Sequence, residues 1–217
     1  MKRIAVIPAY NEAGRIERVI PGVRKYVDTV IVIDDGSSDA TRESAREADV
    51  YIRHPVNMGK GLALQTGIEA ALQRSADIIV TIDADGQHNP QEIPLLLAAL
   101  EKGYDLVVGA RQLNRNMPVV FRVGNSLLYA AFRQLFQVDI PDTQSGFRAF
   151  RAAIYPHIKW SATGYAAETE MLANAGRRHI KCTHVPIQTI YADRYKGTTI
   201  IDGVKIFFSM LKWRFLN

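Results

Sequence analysis

Two short acidic stretches carry most of the side chains that could hold a cation. One is Asp34-Asp35-Gly36-Ser37-Ser38-Asp39 and the other is Asp83-Ala84-Asp85-Gly86-Gln87-His88. Each follows a short run rich in Val and Ile. Residues i and i+2 of an extended segment point the same way, so Asp83 and Asp85 are placed to face one site together. Carboxylates crowded there repel unless a cation or hydrogen-bond donors compensate them. Oxygen ligands without a thiol or imidazole cluster point to magnesium or manganese. Gln87 adds a neutral oxygen, and His88 reads as a neighbour of the site. A lone Asp-x-Asp is also a common strand-end turn, and the second acidic loop is what lifts the metal reading above it.

The glycines narrow the ligand. No Gly-x-Gly-x-x-Gly follows the first apolar run, which disfavours a dinucleotide fold. Gly59-Lys60-Gly61 lacks the Walker spacing and the Ser or Thr after its lysine, which disfavours a P-loop. A diphosphate at this site is then held by metal and cationic side chains. Arg111, at the end of a further apolar run, is placed to help, with Lys60 as a second candidate.

The positioning elements follow from periodicity. Segments 3–7, 29–33, 77–82 and 105–108 are short, apolar and bounded by polar or turn residues, as buried parallel strands are. Asp39 can cap a helix starting near residue 40, with Glu43 near its first turn. Helical spacing covers 59–74, and Pro90 suits the first turn of a helix over 90–102 that Gly103 stops. This alternation predicts a doubly wound α/β fold that binds ligands at the carboxyl ends of its strands. Further along, 121–136 and 163–176 read as helices, and 181–185 and 187–191 as strands. From 200 to 216, Asp202, Lys205, Ser209 and Lys212 make one polar stripe on a helix otherwise rich in Phe and Trp. Such a helix lies at a membrane interface, or it packs on the sheet or on another subunit.

The bulk properties set limits. With 217 residues and 47% hydrophobic content, the chain supports one full-sized domain. No repeat or linker divides it. A net charge of +5 suits an anionic ligand or an anionic surface. Lys and Arg are scattered without an aromatic-interleaved basic patch, so nucleic acid is not expected as a partner. Cys182 is the single cysteine, which fits a reducing compartment and a small buried residue. The apolar run at 4–7 is too short for a signal peptide, and no apolar stretch is long enough to span a bilayer. The expected location is the cytoplasm, peripheral at the inner face of the membrane. A sugar nucleotidyltransferase would carry a Gly-rich basic loop after its first strand, and Pro8-Ala9-Tyr10-Asn11-Glu12 is not one.

In order along the chain come Val6-Ile7-Pro8-Ala9-Tyr10-Asn11-Glu12, Asp34-Asp35-Gly36-Ser37, Asn57-Met58-Gly59-Lys60-Gly61 and Asp83-Ala84-Asp85-Gly86-Gln87-His88. Val108-Gly109-Ala110-Arg111, Asp142-Thr143-Gln144-Ser145-Gly146-Phe147-Arg148 and Glu168-Thr169-Glu170-Met171 follow. This series resembles the motifs of family-two glycosyltransferases, above all dolichol-phosphate mannosyltransferases and bacterial polyprenyl-phosphate relatives. The resemblance covers nearly the whole chain and implies a GT-A (Rossmann-like) fold. That fold has a mixed, mostly parallel sheet flanked by helices, here with a C-terminal amphipathic helix. It also implies Mg2+ or Mn2+, a nucleoside-diphosphate sugar donor, inversion at the anomeric carbon and a polyprenyl-phosphate acceptor. A sugar hydroxyl is the alternative acceptor. Pro8, Tyr10 and Glu12 would line the nucleotide pocket, with Asp35 near the base or ribose. Asp83 and Ala84 would contact the nucleoside, Asp85 and Gln87 would hold the metal, and Arg111 would contact phosphate or sugar. Asp142, Ser145, Glu168, Arg194 and Lys196 would serve the acceptor side. Thr198-Thr199 departs from the Ser-Lys pair usual after that basic loop. The implied layout is one domain, with a donor half over 1–110, an acceptor half over 111–199 and an interfacial helix over 200–217. Simpler roles compete. Tyr10 and Glu12 could cap the first helix, and Asp142 and Arg148 could form a structural ion pair. Glu168 and Glu170 cannot share a helix face, so at most one reaches the acceptor, and both could be solvated.

Overall fold

The structure, a computed structural model, describes residues 1–111, 119–164, 166–188, 190 and 200–215, with backbone alone at 119–125 and 200–206. Arg194 and Lys196 lie outside the described residues. The strands are β1 (Arg3–Ala9), β2 (Thr29–Asp34), β3 (Val50–Arg53), β4 (Ile78–Thr81), β5 (Leu106–Arg111), β6 (Arg148–Arg151) and β7 (Cys182–Ile187). The helices are α1 (Ile16–Arg24), α2 (Thr41–Ser44), α3 (Lys60–Leu72), α4 (Ile93–Glu101), α5 (Val119–Phe136), α6 (Tyr155–Ile158), α7 (Ala167–Arg177) and α8 (Ile200–Phe215). A 7-stranded sheet runs β3-β2-β1-β4-β6-β5-β7. Its pairings are parallel except those of β6, which is antiparallel to β4 and to β5. The other strands therefore end at one edge, and β6 begins there. The 142–147 segment that feeds β6 is thereby delivered to the same edge as the two acidic loops.

Side-chain alternation splits the core into two layers. Ile4, Val6, Ile31, Ile33 and Ile79 face α3, α5, α7 and α8, while Ala5, Ile7, Val30, Val32 and Ile78 face α1 and α4. Pro8 sits in the middle of this sheet without an amide hydrogen. Val6, of the same parity, accepts from Ile82 N at 3.3 Å on the β4 side, and β4 ends at Thr81. Pro8 therefore points past the ladder, where no hydrogen bond is lost.

Several elements differ from expectation. β6 reads Arg-Ala-Phe-Arg, too short and too charged to stand out as a buried strand. Segment 90–102 opens with a 3-10 turn over Pro90–Glu92, capped by Asn89, before α4 begins. α7 starts at Ala167, not near 163, because the Thr163 carbonyl is taken by Gly61 N at 2.7 Å and cannot accept an intrahelical bond as well. The expected second strand over 187–191 lies partly outside the described residues, and β7 itself runs on to Ile187. Gln188 N donates to Glu92 Oε1 at 2.9 Å and Ile190 N donates to the Gln87 carbonyl at 2.9 Å. That segment braces the second acidic loop.

Candidate active site

The first acidic loop is a scaffold. Asp34 is fully buried and accepts from Ser37 N at 2.8 Å and from the Tyr51 hydroxyl. Asp35 accepts from Met58 N at 2.9 Å and Gly59 N at 2.8 Å, and its Oδ1 meets His54 Nδ1 at 2.7 Å. Both Asp35 oxygens thus hold the 57–59 turn that leads into α3. Sequence reasoning overlooked His54, although a histidine just past a strand's carboxyl end is a visible signal. The Glu12 carbonyl accepts from Arg15 N and Ile16 N, and its carboxylate pairs with Arg15 at 2.8 Å, so Glu12 opens α1. Tyr10 makes no such cap and is 47% exposed at the edge of the sheet.

The glycines around Lys60 are explained by chain packing. A Cβ on Gly59 or Gly61 would fall well inside contact distance of the Thr163 or Ala162 carbonyl oxygen. Trp160 Nε1 donates to the Gly61 carbonyl at 3.1 Å, and Gln65 Nε2 donates to the Trp160 carbonyl at 2.6 Å. The start of α3 is therefore closed by protein backbone, in keeping with the missing phosphate cradle.

Lys60 itself reaches the end of β4. Its Nζ lies 2.6 Å from Asp83 Oδ1 and 2.8 Å from Glu168 Oε1. Burial favours the neutral amine, but the two carboxylates outweigh it and hold the Lys60 pKa above its ordinary value. Asp83 feels the reverse balance. Burial raises its pKa, but Lys60, with His88 and Arg111 adding to it, lowers it further, and the net shift is downward. A Cβ on Gly146 would sit 2.5 and 2.6 Å from the Asp83 oxygens, so glycine is required there for the carboxylate to approach. Thr81 Oγ1 donates to the Gly146 carbonyl at 2.7 Å and fixes that backbone. His88 is buried and stacks on Phe147 with ring centroids 5.3 Å apart. Burial lowers its pKa against the pull of Asp83 and Asp85, so the imidazole is neutral at pH 7.

Arg111 forks onto Asp142, with Nε to Oδ2 at 2.7 Å and a terminal nitrogen to Oδ1 at 3.1 Å. Burial raises the Asp142 pKa and the Arg111 contacts lower it more, leaving it depressed. The expected alternative pairing of Asp142 with Arg148 is not formed. Arg148 is fully buried and donates to the carbonyls of Ser145, Glu168 and Thr143 at 2.8, 2.7 and 2.7 Å. Burial lowers its pKa to about 10, which leaves it charged at pH 7. Ser145 is buried, and its hydroxyl accepts from Phe147 N at 3.3 Å.

Glu168 and Glu170 take different faces of α7, as expected, but neither is solvated. They are 3% and 4% exposed. Glu170 accepts from Ser161 N, Ser161 Oγ and Ala162 N at 3.0, 3.0 and 2.9 Å, and so ties down the loop before α7. Glu168 gives Oε1 to Lys60 and borders a cavity of about 10 Å³ lined also by Leu64, Thr81, Arg148, Trp160 and Met171. That is near the lower limit for one water.

Asp85 differs from its acidic neighbours. Asp34 has Arg53 at 3.6 Å, Asp83 has Lys60 and Asp142 has Arg111. Among the described residues no lysine or arginine pairs with Asp85, whose Oδ1 accepts from Gln87 N at 3.0 Å. A carboxylate without a lysine or arginine partner among the described residues fits a hard divalent cation. No group of three or more His, Cys, Asp or Glu gathers around a metal position among the described residues. A cation held by one or two protein oxygens and by substrate phosphates, the usual magnesium arrangement, needs no such cage.

Residues 4–158 match the model of the family described as Glycosyl transferase family 2. The chain belongs to that family. It is 33% identical over 234 residues to the UDP-N-acetylglucosamine–dolichyl-phosphate N-acetylglucosaminyltransferase of Methanococcus voltae, spanning 95% of this chain and 93% of that one. It is 31% identical to the polyprenol monophosphomannose synthase of Mycolicibacterium smegmatis, spanning 97% and 85%. Glucosyl-3-phosphoglycerate synthase of Mycobacterium tuberculosis, solved with Mn2+, uridine diphosphate and glucosyl-3-phosphoglycerate, superposes with a TM-score of 0.75 at 26% identity. The match covers 98% of this chain and 79% of that one. The protein is thus a glycosyltransferase with a GT-A fold.

Proposed function

We propose that this glycosyltransferase moves a hexose, with inversion, from a nucleoside-diphosphate sugar such as GDP-mannose or a UDP-sugar to a polyprenyl phosphate. A phosphate oxygen of the acceptor attacks the anomeric carbon, and the bond from that carbon to the diphosphate breaks. The nucleoside diphosphate leaves with the electron pair. The observation that carries this reading is the state of the carboxylates around the end of β4. Asp83 and Glu168 share Lys60, and Asp142 is forked by Arg111. Asp83 and Asp142 have depressed pKa values, so both are weak bases. A hydroxyl acceptor needs a base, whereas a phosphate is already anionic. The dolichyl- and polyprenol-phosphate relatives support the same acceptor class.

Asp83 and Ala84 take the nucleoside side, with Pro8, Tyr10 and Glu12 lining the pocket and Asp35 setting the turn that carries Lys60. Asp85 and Gln87 hold Mg2+ or Mn2+, which when bound neutralises the charge of the departing diphosphate. Arg111 adds a second positive charge at the same edge. Asp142 and Ser145, on the segment entering β6, face the acceptor with the basic loop of Arg194 and Lys196. One domain holds the donor half over 1–110, the acceptor half over 111–199 and the interfacial helix. The protein works in the cytoplasm at the inner face of the membrane. The described residues hold no helix long and apolar enough to cross a bilayer, and Phe208 and Phe215 of α8 are exposed beside Lys212 and Arg214. The test is a product assay that offers GDP-mannose and UDP-sugars with Mn2+ to polyprenyl phosphate and, separately, to oligosaccharides. Transfer to the lipid phosphate is expected. Transfer confined to oligosaccharides would overturn this acceptor.

A further inference from the structure

Glu168 lies on α7, yet its carboxylate turns toward the donor side. Its Oε1 is 2.8 Å from Lys60 Nζ, and the same ammonium is 2.6 Å from Asp83 Oδ1. A lysine has a long flexible stem, and a single partner leaves its head free to swing. Two carboxylates, one just past β4 and one on α7, fix it. Asp83 is then confined between Lys60 and the Gly146 backbone, with no room for a Cβ at Gly146. The α7 backbone is itself pinned at this point, since Arg148 donates to the Glu168 carbonyl at 2.7 Å.

We infer that Glu168 is a positioning residue for the donor: it anchors Lys60, which in turn holds Asp83 in place for the nucleoside. The assignment rests on the glycosyltransferase reading of the Asp83 site. It means that a residue of the acceptor half sets affinity for the donor. Pre-organisation of a binding side chain by such an outer partner is worth about ten-fold or more in affinity.

The informative variant is Glu168→Asp. It keeps the negative charge opposite Arg148 but withdraws the carboxylate by about 1.5 Å, one carbon–carbon bond. The binding of UDP and of GDP, each with Mn2+, is measured by calorimetry, and the KM for polyprenyl phosphate by transfer assay. The expected result is a folded protein with nucleotide binding weakened about ten-fold and an unchanged acceptor KM. Lys60→Met is expected to weaken the nucleotide similarly, and Lys60→Met with Glu168→Asp no further, because the two act in series. Unchanged nucleotide affinity in Glu168→Asp overturns the inference, as does a raised acceptor KM in its place. Additive losses in the double variant overturn it too. If Glu168→Asp does not fold, Lys60→Met decides alone, since unchanged nucleotide affinity there removes the residue through which Glu168 would act. A wild-type protein that binds neither nucleotide would instead sink the glycosyltransferase site reading, a separate outcome.

Discussion

At the scale of single residues, the site is governed by how closely charges are allowed to approach. Asp83 meets Lys60 on one side and the Gly146 backbone on the other. Gly146→Ala would place a methyl group 2.5 Å from a carboxylate oxygen that Lys60 holds on its other side. The expected cost is about 1–3 kcal/mol of stability from overpacking. Nucleotide binding should suffer as well, because Asp83 must leave Lys60 to make room. Chemical denaturation and calorimetry with UDP and Mn2+ would check the two effects, and a stable variant with full nucleotide affinity would contradict the geometry. Asp142 gives a pH-dependent counterpart. Its folded pKa lies below the ordinary 3.8, since Arg111 outweighs burial. A carboxyl depressed in this way contributes stability above its unfolded pKa and loses it as pH falls through the folded value. Asp142→Asn should therefore destabilise the protein at pH 7, and the gap to wild type should close below about pH 4. Urea unfolding at both pH values reads this directly, and a gap that widened in acid would reverse the assignment.

At the scale of elements, the decisive feature is the stitch between α3 and the 160–164 segment. Gly61 donates to Thr163, and Trp160 donates back to Gly61. Gly61→Ala would drive a methyl group into the Ala162 carbonyl, which has hydrogen-bonded neighbours on both sides. The expected loss is about 1–3 kcal/mol, with altered Trp160 fluorescence. Gly164→Ala is the matched control, because among the described residues nothing lies within 4 Å of its added Cβ. Equal stability of the two variants would show that the stitch does not matter. The same feature explains what could be read from the sequence. Apolar runs announced β1, β2, β4 and β5, because strands buried on both faces must be apolar throughout. β6 stayed hidden, since the hydrogen bonds that satisfy its two arginines include contacts distant in sequence: Arg148 donates to the Glu168 carbonyl, and Arg151 donates to the Leu100 carbonyl at 2.8 Å. The acidic loops were legible because carboxylates at strand ends are conspicuous. That Asp35 serves a backbone turn, and that Lys60 faces two carboxylates, depends on packing between α3 and α7 that no local pattern encodes.

At the scale of the whole molecule, α8 shows two faces, and only one of them packs on the chain. Met210 and Trp213 are 1% and 6% exposed and join the core against α5 and α7, so the helix does pack on its own chain. Phe208 and Phe215, by contrast, are 64% and 73% exposed, with the basic Lys212 and Arg214 on the same helix also at the surface. Exposed aromatics beside cationic residues suit an anionic bilayer surface. Deleting α8 is therefore a poor probe of membrane binding, because losing buried Trp213 alone costs about 3–5 kcal/mol. The discriminating change is Phe208→Ser with Phe215→Ser, which leaves the core face untouched. The pair should keep the thermal midpoint and the affinity for UDP with Mn2+, while binding to vesicles containing anionic lipid falls several-fold. Since interfacial affinity scales with the apolar area buried, each ring withdrawn should weaken adsorption in proportion. Vesicle binding that survived both substitutions undiminished would move the membrane contact away from this face of α8, and a collapse of the thermal midpoint would place these rings in the core.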